Sequence, residues 1–173
     1  MSPLRFVEIG TDDELAQPLI AELAVEYATR YDATEERVLT WLRGYPAAEF
    51  APPFGAMVIG LLNDVPVTGG AFRRFGIVDG ADTAELKRIW TDRRHRQRGY
   101  ARMLLAQLET RIAAACYRRV YLTTGDRQPE AEALYAAAGY VRLAQPLPAQ
   151  AEVYALAFEK ILGDVSGGRS RLG

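Results

Sequence analysis

The stretch RRHRQRGYARMLLAQLETRIAAA, residues 93–115, constrains the fold of this chain more than any other part of the sequence. Four arginines gather around Gly99, and a run with apolar residues at helical spacing follows them. Those apolar residues are Met103, Leu104, Leu108, Ile112 and Ala115. A helix that begins at such a turn leaves its first backbone N–H groups unpaired, and its dipole adds partial positive charge. The stretch therefore predicts a helix whose N-terminus binds a phosphate, with Gly99 allowing close approach of the anion.

Two other interpretations of this cluster stay open on the residues alone. A basic loop in front of an ordinary amphipathic helix gives the same string, and short glycine motifs often occur without a ligand. A nucleic-acid site is the other interpretation, but the cluster is short and lacks interleaved aromatic residues. The chain has a net charge of −1 and a pI near 5.9, so it has no general attraction for polyanions. We therefore predict no nucleic-acid partner.

The composition is that of an ordinary globular domain. The chain has 173 residues, of which 49% are hydrophobic and 25% are charged, so it can fill one core. We predict a single domain over residues 1–162 and a flexible C-terminal tail over residues 163–173. Because Cys116 and His95 are the only residues of their types, we predict no internal disulfide and no metal site. No apolar run could span a bilayer and the N-terminus lacks a signal-peptide core, which predicts a cytoplasmic protein without a membrane partner.

The periodicity of the sequence predicts an α/β (α+β) fold with a mixed sheet. The predicted strands are residues 4–9, 55–63, 67–76, 83–92, 118–124, 140–144 and 152–162. The predicted helices are residues 11–31, 33–44 and 128–140, together with the one that follows the arginine cluster. Thr11 or Asp12 is expected to cap the first helix, which Pro18 kinks or splits. Residues 83–92 form either a strand with one polar-bearing face or a strand with a bulge.

Three motifs resemble those of the GNAT superfamily of N-acetyltransferases. RQRGYA, residues 96–101, resembles the family's (Gln/Arg)-x-x-Gly-x-(Gly/Ala) signature, whose loop amides bind the pyrophosphate of acetyl-CoA. AELKRIW, residues 84–90, resembles the central strand, and QPEAEALYAAAGY, residues 128–140, resembles the second cofactor motif. The resemblance spans roughly residues 54–160. It implies a mixed, mostly antiparallel sheet of six to seven strands flanked by about four helices, split between its two central strands to admit pantetheine.

The resemblance also implies an activity: direct transfer of an acetyl group from acetyl-CoA, a co-substrate, to a primary amine within a ternary complex. Tyr135 occupies the Leu-Tyr position of the family and is implied as the general acid for the departing thiolate. Glu85 lies at the offset before Arg96 where histone-acetylating members carry their glutamate base. From the residues alone, Tyr135 could equally be a core tyrosine, and Glu85 could be a structural glutamate paired with Lys87 or an arginine.

The resemblance further implies a set of cofactor-binding residues and leaves the acceptor open. The implied cofactor-binding residues are Ile89, Trp90, Thr91, Arg94, Arg96, Gln97, Arg98, Gly99, Tyr100, Ala101, Arg102 and Gln128. Gln128 stands where many members have asparagine. Trp41 and Tyr45 either line a substrate pocket or belong to the core. We expect a small-molecule or peptide amine as the acceptor and leave a homodimer open. The alternative function is a non-catalytic acyl-CoA-binding sensor or regulatory module.

Overall fold

Over residues 2–147 and 155–163, which a computed structural model describes, the chain folds into seven strands and four α-helices. The strands are β1 (Arg5–Ile9), β2 (Ala56–Leu62), β3 (Val65–Val78), β4 (Ala81–Thr91), β5 (Arg119–Gly125), β6 (Val141–Arg142) and β7 (Ala155–Ile161). The helices are α1 (Gln17–Arg30), α2 (Glu35–Arg43), α3 (Tyr100–Ala114) and α4 (Pro129–Ala137). Short 3-10 turns cover Glu14–Ala16, Ala47–Phe50 and Arg93–His95.

The described strands form one sheet in the order β1-β2-β3-β4-β5-β7-β6. Neighbouring strands are antiparallel except β4 and β5, which run parallel. This mixed, mostly antiparallel sheet with its four helices confirms the predicted fold class. The parallel pair needs a crossover, and α3 supplies it.

Helices cover both faces of the sheet. Helices α3 and α4 cover one face, where Leu108 packs in a cluster with Val58. Helices α1 and α2 cover the other face, where Leu23 and Leu42 pack in a cluster with Met57. Met57 and Val58 are consecutive residues of β2, and successive side chains of a strand point to opposite faces. The near-continuous burial of β2 follows from this double cover.

The first helix begins later than the sequence predicts. Asp13, rather than Thr11 or Asp12, caps the 3-10 turn, because its side chain accepts from the Leu15 amide at 2.9 Å. Helix α1 then begins at Gln17, which places Pro18 in its first turn. Proline is tolerated there, since the N–H that it lacks would have no helical partner. Pro18 therefore separates the 3-10 turn from α1 and does not kink a continuous helix.

The buried face of α3 is shifted from the predicted one. Met103 is 46% exposed, whereas Leu105 is 1% exposed. At 3.6 residues per turn, Leu104, Leu105, Leu108 and Ile112 fall within one arc of about 100°, and Met103 lies about 100° outside it. The apolar residues of α3 thus occupy a wider arc around the helix than the arc that packs against the sheet.

Strand β4 contains the bulge that the sequence offered as one alternative. Gly69 pairs with Trp90 and Ala71 pairs with Lys87, so the register slips by one residue between these two pairs. Arg88 takes up the slip with a left-handed backbone, φ 59°. A Cβ on Gly70 of the facing strand would come within 2.6 Å of the Ile89 side chain, so this glycine makes room for the bulge.

The sheet opens between β4 and β5. These strands pair only from Thr83–Arg119 to Glu85–Tyr121. Beyond Glu85, β4 continues to pair with β3, and beyond Tyr121, β5 continues to pair with β7. The C-terminal halves of both strands therefore carry one free backbone edge each, and the two edges face a common opening.

Several predictions concern residues outside the described part of the chain. The predicted start of the last strand, residues 152–154, and most of the predicted tail, residues 164–173, lie there. The domain boundary at residue 162 stays a prediction. Within the described residues, none of the helices has both the length and the apolar character needed to cross a bilayer.

Candidate active site

The main cleft of the molecule lies at the opening between β4 and β5. It has a volume of about 1580 Å³ and is lined by both strands, the N-terminal ends of α3 and α4, and residues of α1 and α2. Pockets for drug-sized ligands have volumes of about 300–1,000 Å³. The cleft therefore has room for a ligand larger than one such molecule, or for two ligands side by side.

The N-terminus of α3 presents backbone N–H groups to this cleft. The first helical hydrogen bond runs from the Met103 amide to the Gly99 carbonyl at 3.1 Å, and no described residue accepts from the amides of residues 97–102. Gln97 and Gly99 have left-handed backbones, φ 61° and 79°. A Cβ on Gly99 would meet no protein atom within 4 Å, so open space lies in front of it. Unpaired amides, the helix dipole and this space fit a phosphate-bearing ligand.

The predicted arginines do not converge on one point. Arg102 lines the cleft with Gln97, Tyr100 and Ala101, whereas Arg94 and Arg98 are exposed outside the cleft lining. Arg96 also lines the cleft, but its Nη2 donates to Glu26 of α1 at 2.7 Å. In this arrangement Arg96 ties the turn before α3 to α1.

His95, in the turn before α3, is half-buried. Its Nδ1 is hydrogen-bonded to the Asp92 carboxylate, and its ring stacks near Tyr100. Burial opposes ionisation of Asp92, but the His95 contact and the Arg94 charge outweigh it and lower the pKa of that carboxyl. The pair stiffens the turn that leads from β4 into α3.

The end of β4 also forms part of the cleft wall. Ile89, Trp90 and Thr91 all line it. The Trp90 carbonyl accepts from the Thr68 hydroxyl at 2.8 Å, and the Thr91 carbonyl accepts from Arg96 Nε at 3.2 Å. The Trp90 indole Nε1 is buried without a described partner, and a buried donor of this kind costs about 1–3 kcal/mol. The wall thus keeps one unsatisfied donor.

Tyr135 of α4 lies in the cleft wall and is 6% exposed. Its ring packs against Tyr140 and Phe158, with centroids 5.8 and 5.9 Å away. Its hydroxyl has no hydrogen-bond partner among the described residues, yet it is not sealed from solvent. Burial, and to a smaller extent Tyr27, raises the pKa of Tyr135 far above its ordinary value. The phenol therefore stays neutral at physiological pH with its O–H free to donate.

Sequence reasoning missed two tyrosines in the lining of the same cleft: Tyr27 of α1 and Tyr31, which directly follows α1. Tyr27 contributes to the raised pKa of Tyr135, and both residues line the cleft. Burial and the nearby Glu26 raise the pKa of Tyr27 itself to about 12. Tyr31 follows one helical turn later, with its ring centroid 6.4 Å from that of Tyr27. The i, i+4 spacing of two aromatics was the available signal.

Polar contacts join the end of α1 to the segment after β5 and to the first turn of α4. Arg30 forms an ion pair with Glu130 and donates to the Arg127 carbonyl at 2.8 Å. Gln128 Nε2 donates to the Tyr31 hydroxyl at 3.2 Å. Gln128, a predicted cofactor-binding residue, lines the cleft at the start of α4. These contacts hold α1 against the opposite side of the opening.

Glu85 is buried beside the cleft and is held by two cations. Its Oε2 accepts from Arg73 Nε at 3.0 Å, and its Oε1 lies 3.1 Å from Lys87 Nζ. Lys87 lines the cleft, whereas Glu85 is not among the lining residues. Each carboxylate oxygen therefore already has a cationic partner within the protein. Trp41 and Tyr45, by contrast, both line the cleft.

The buried tyrosines predict a loss of stability at alkaline pH. Burial raises the folded-state pKa of Tyr135 and Tyr140 above the unfolded value of about 10. The stabilisation is fully present below pH 10 and is lost as the pH rises, because only the unfolded chain releases these protons. We expect the free energy of unfolding to fall above pH 10 by about 1.4 kcal/mol per pH unit for each tyrosine.

Urea unfolding between pH 8 and 11.5 measures this dependence. The variant Tyr135→Phe should lose less stability over that range than the wild-type chain. Identical slopes for the two proteins would contradict the raised pKa of Tyr135.

Solved structures with the same architecture support the fold assignment. A Klebsiella pneumoniae protein provisionally assigned as an acyl-CoA N-acyltransferase is 23% identical with a TM-score of 0.71, over 92% of this chain and 98% of that one. The PaiA N-acetyltransferase of Thermoplasma acidophilum, solved with coenzyme A, is 13% identical with a TM-score of 0.70, over 93% and 100%. An acetyltransferase from Thermus thermophilus is 19% identical with a TM-score of 0.66, over 93% and 98%. A search of curated proteins found no match.

The fold and its cleft are those of an acyltransferase that uses a coenzyme A thioester. The model of the acetyltransferase (GNAT) family matches residues 18–140, and the chain belongs to this family. The match covers α1 from Pro18, the opening between β4 and β5, and the whole of α4 with Tyr135.

Proposed function

We propose that the chain is an N-acetyltransferase that transfers an acetyl group from acetyl-CoA to a primary amine within a ternary complex. The observation that carries the proposal is the convergence of three features in one cleft. These features are the unpaired amides before Met103, the free edges of β4 and β5, and the neutral hydroxyl of Tyr135. A site that only bound an acyl-CoA would not need a proton donor in its wall.

The residues at the start of α3 would hold the diphosphate of the donor. The amides from Gln97 to Arg102 are charge-complementary to phosphate oxygens, and Arg102 adds a guanidinium at the cleft. The free edges of β4 and β5 offer backbone donors and acceptors to an extended amide-bearing arm such as pantetheine. Gln128 lines the far side of the opening, where its amide can bind the same arm.

Bound acetyl-CoA supplies an activated acyl carbon, to which the amine nitrogen bonds while the carbon–sulfur bond breaks. The backbone N–H of Ile89 or Trp90 would stabilise the negative charge that develops on the acyl oxygen. Tyr135 would donate a hydrogen bond to the departing sulfur. A thiol has a pKa of about 8.5, and the pKa of Tyr135 is raised, so a hydrogen bond to the thiolate is favoured over complete proton transfer.

The family resemblance implies Glu85 as the base, whereas its two ion pairs support a structural role, so the two roles are tested directly. We expect Glu85→Gln to lower the free energy of unfolding by about 2 kcal/mol, because Arg73 and Lys87 lose a charged partner. We expect kcat to fall by less than about tenfold if the amine's proton leaves through solvent. Urea unfolding and initial rates from pH 6 to 9 measure both effects. A 100-fold loss of kcat at unchanged stability, with the acidic limb of the pH profile removed, would instead make Glu85 the base.

The proposal is tested by incubating the protein with acetyl-CoA and a panel of primary amines. Thiol release would be followed with a chromogenic thiol reagent, and the acetylated amine would be identified by its mass increase. A reaction without amine measures background hydrolysis of the thioester. Amine-dependent thiol release with a matching product supports the proposal. Tight binding of acetyl-CoA without transfer to any amine would favour the acyl-CoA sensor.

A further inference from the structure

One side of the cleft is a continuous row of aromatic rings, here called the aromatic wall. It consists of Tyr31, Tyr27, Trp41, Tyr45 and Phe50, whose successive ring centroids are 5.8–6.4 Å apart. All five residues line the cleft, and Trp41 is 51% exposed. Phe50 is buried and Tyr27 and Tyr45 are half-buried, so the accessible part of the aromatic wall centres on Trp41 and Tyr31. An aromatic surface of this kind favours a ligand with a large apolar or aromatic group.

Three cations surround one ring of the aromatic wall. Lys87 Nζ lies 5.5 Å from the centroid of Tyr45, and the guanidinium carbons of Arg73 and Arg88 lie 4.9 and 5.7 Å from it. Arg88 also lies 4.9 Å from the Phe50 ring. Cation–π contacts favour these positions but do not neutralise the charges.

The nearby carboxylates form ion pairs with only two of these three cations. Glu49 pairs with Arg73, and Glu85 pairs with Arg73 and Lys87. No described carboxylate forms an ion pair with Arg88, and burial lowers its pKa. A partly desolvated cation without a counter-ion is costly and gains from any anion that reaches it.

Arg88 can reach a ligand in the cleft. One guanidinium nitrogen, Nη2, donates to the Leu42 carbonyl, which ties β4 to the end of α2. The other two nitrogens have no described partner, yet neither is sealed from solvent, and Arg88 lines the cleft. The bulge sets its left-handed backbone directly before Ile89. Arg88 and Ile89 both line the cleft, so a ligand bound to the guanidinium would lie in the same cleft as the backbone that would hold the reacting acyl group.

We infer that Arg88 binds a carboxylate of the acceptor, so that the acceptor is an α-amino acid with a large apolar or aromatic side chain. The inference rests on the proposed function and names the substrate class of the same site. In an α-amino acid a single carbon separates the amine from the carboxylate. A carboxylate on Arg88 would therefore hold the amine nearby, in the cleft that Ile89 also lines, and the side chain would lie on the aromatic wall, whose Tyr45 ring adjoins the guanidinium. A guanidinium fork matches a carboxylate in shape and charge.

The test compares three acceptors that share one ring and differ in charge: phenylalanine, phenylalaninamide and phenethylamine. At saturating acetyl-CoA, kcat/KM is corrected for the fraction of free amine. We expect a preference of roughly 10- to 100-fold for phenylalanine over the two uncharged compounds, as for loss of a charge-assisted hydrogen bond. Arg88→Gln should abolish the preference by raising KM for phenylalanine alone, and Arg88→Lys should restore part of it.

Arg43→Gln is the matched control, because it removes one positive charge from the exposed end of α2, outside the lining of the main cleft. It should leave the preference unchanged. Phosphoethanolamine accepted better than phenylalanine, or equal rates for the three acceptors, would overturn the inference while leaving the transferase proposal intact. Absence of transfer to every amine would instead contradict the transferase proposal.

If no amine is acetylated, a binding measurement still tests whether Arg88 binds a carboxylate. Calorimetric titration compares N-acetylphenylalanine with N-phenethylacetamide, which lacks the carboxylate. We expect the carboxylate compound to bind roughly tenfold more tightly to the wild-type chain, and equally weakly to Arg88→Gln. Equal affinities for the two compounds in the wild-type chain would overturn the inference. Thermal unfolding of each variant confirms that differences arise in a folded protein.

Discussion

Replacing Gly99 by glutamate is expected to weaken acetyl-CoA binding by at least about 100-fold. The new side chain would extend into the open space before α3 and bring a negative charge to the amides proposed to bind the diphosphate. The left-handed backbone of Gly99, φ 79°, adds strain of about 1–2 kcal/mol for any residue with a Cβ. Isothermal titration of acetyl-CoA into both proteins measures the effect.

Gly80→Glu is the matched control for this experiment. Gly80 has nearly the same backbone, φ 77°, and equally open surroundings, but it lies in the turn between β3 and β4. The variant therefore carries the same charge and strain away from α3 and should bind acetyl-CoA like the wild-type chain. If both variants bound acetyl-CoA equally weakly, backbone strain at the substituted glycine would explain the loss of affinity. A wild-type chain that does not bind acetyl-CoA would contradict the proposed phosphate site itself.

Replacing Tyr135 by phenylalanine is expected to lower kcat by about 10²-fold or more, the usual contribution of a positioned proton or hydrogen-bond donor. The change removes only the hydroxyl, which no described residue binds, so the packing against Tyr140 and Phe158 is kept. Acetyl-CoA affinity should stay within about twofold, because the diphosphate would bind at the start of α3. Steady-state rates and titration of acetyl-CoA measure the two quantities.

Tyr140→Phe supplies the comparison for Tyr135. Tyr140 is a neighbouring buried tyrosine whose hydroxyl donates to Glu109 at 3.0 Å, and it does not line the cleft. Its replacement should reduce stability and leave the rate per folded molecule close to that of the wild-type chain. Equal rate losses in the two variants would assign the effect to packing, and unchanged turnover in Tyr135→Phe would remove this hydroxyl from the mechanism.

Most of the fold could be predicted from local signals in the sequence. Thr34 accepts from the Arg37 amide and Gly44 ends α2, as the residue types at these positions indicate. The bulge in β4 was also within reach, because a glycine pair lies on the strand that faces it. Each of these features depends on backbone geometry and on near neighbours, which a sequence displays directly.

Contacts between side chains that are distant in sequence could not be predicted from such local signals. The arginine cluster predicted a basic cradle, but Arg96 is engaged by Glu26, a residue of the first helix. Tyr27 and Tyr135 line the same cleft but come from helices far apart in the chain. Composition and periodicity cannot show which distant residue forms an ion pair with a given charged side chain. Part of the aromatic wall could be anticipated, since the sequence analysis left open whether Trp41 and Tyr45 line a substrate pocket or belong to the core.

The opening between β4 and β5 has a thermodynamic consequence. Two strand edges inside one sheet lack the hydrogen bonds that would complete it, so a ligand that fills the gap binds the folded chain and not the unfolded one. Under the proposed function, acetyl-CoA at 100 times its Kd would raise the free energy of unfolding by about 2.7 kcal/mol. For a chain of this size that corresponds to a rise in Tm of roughly 5–10 °C. The abundance of the folded enzyme would then follow the supply of its own donor.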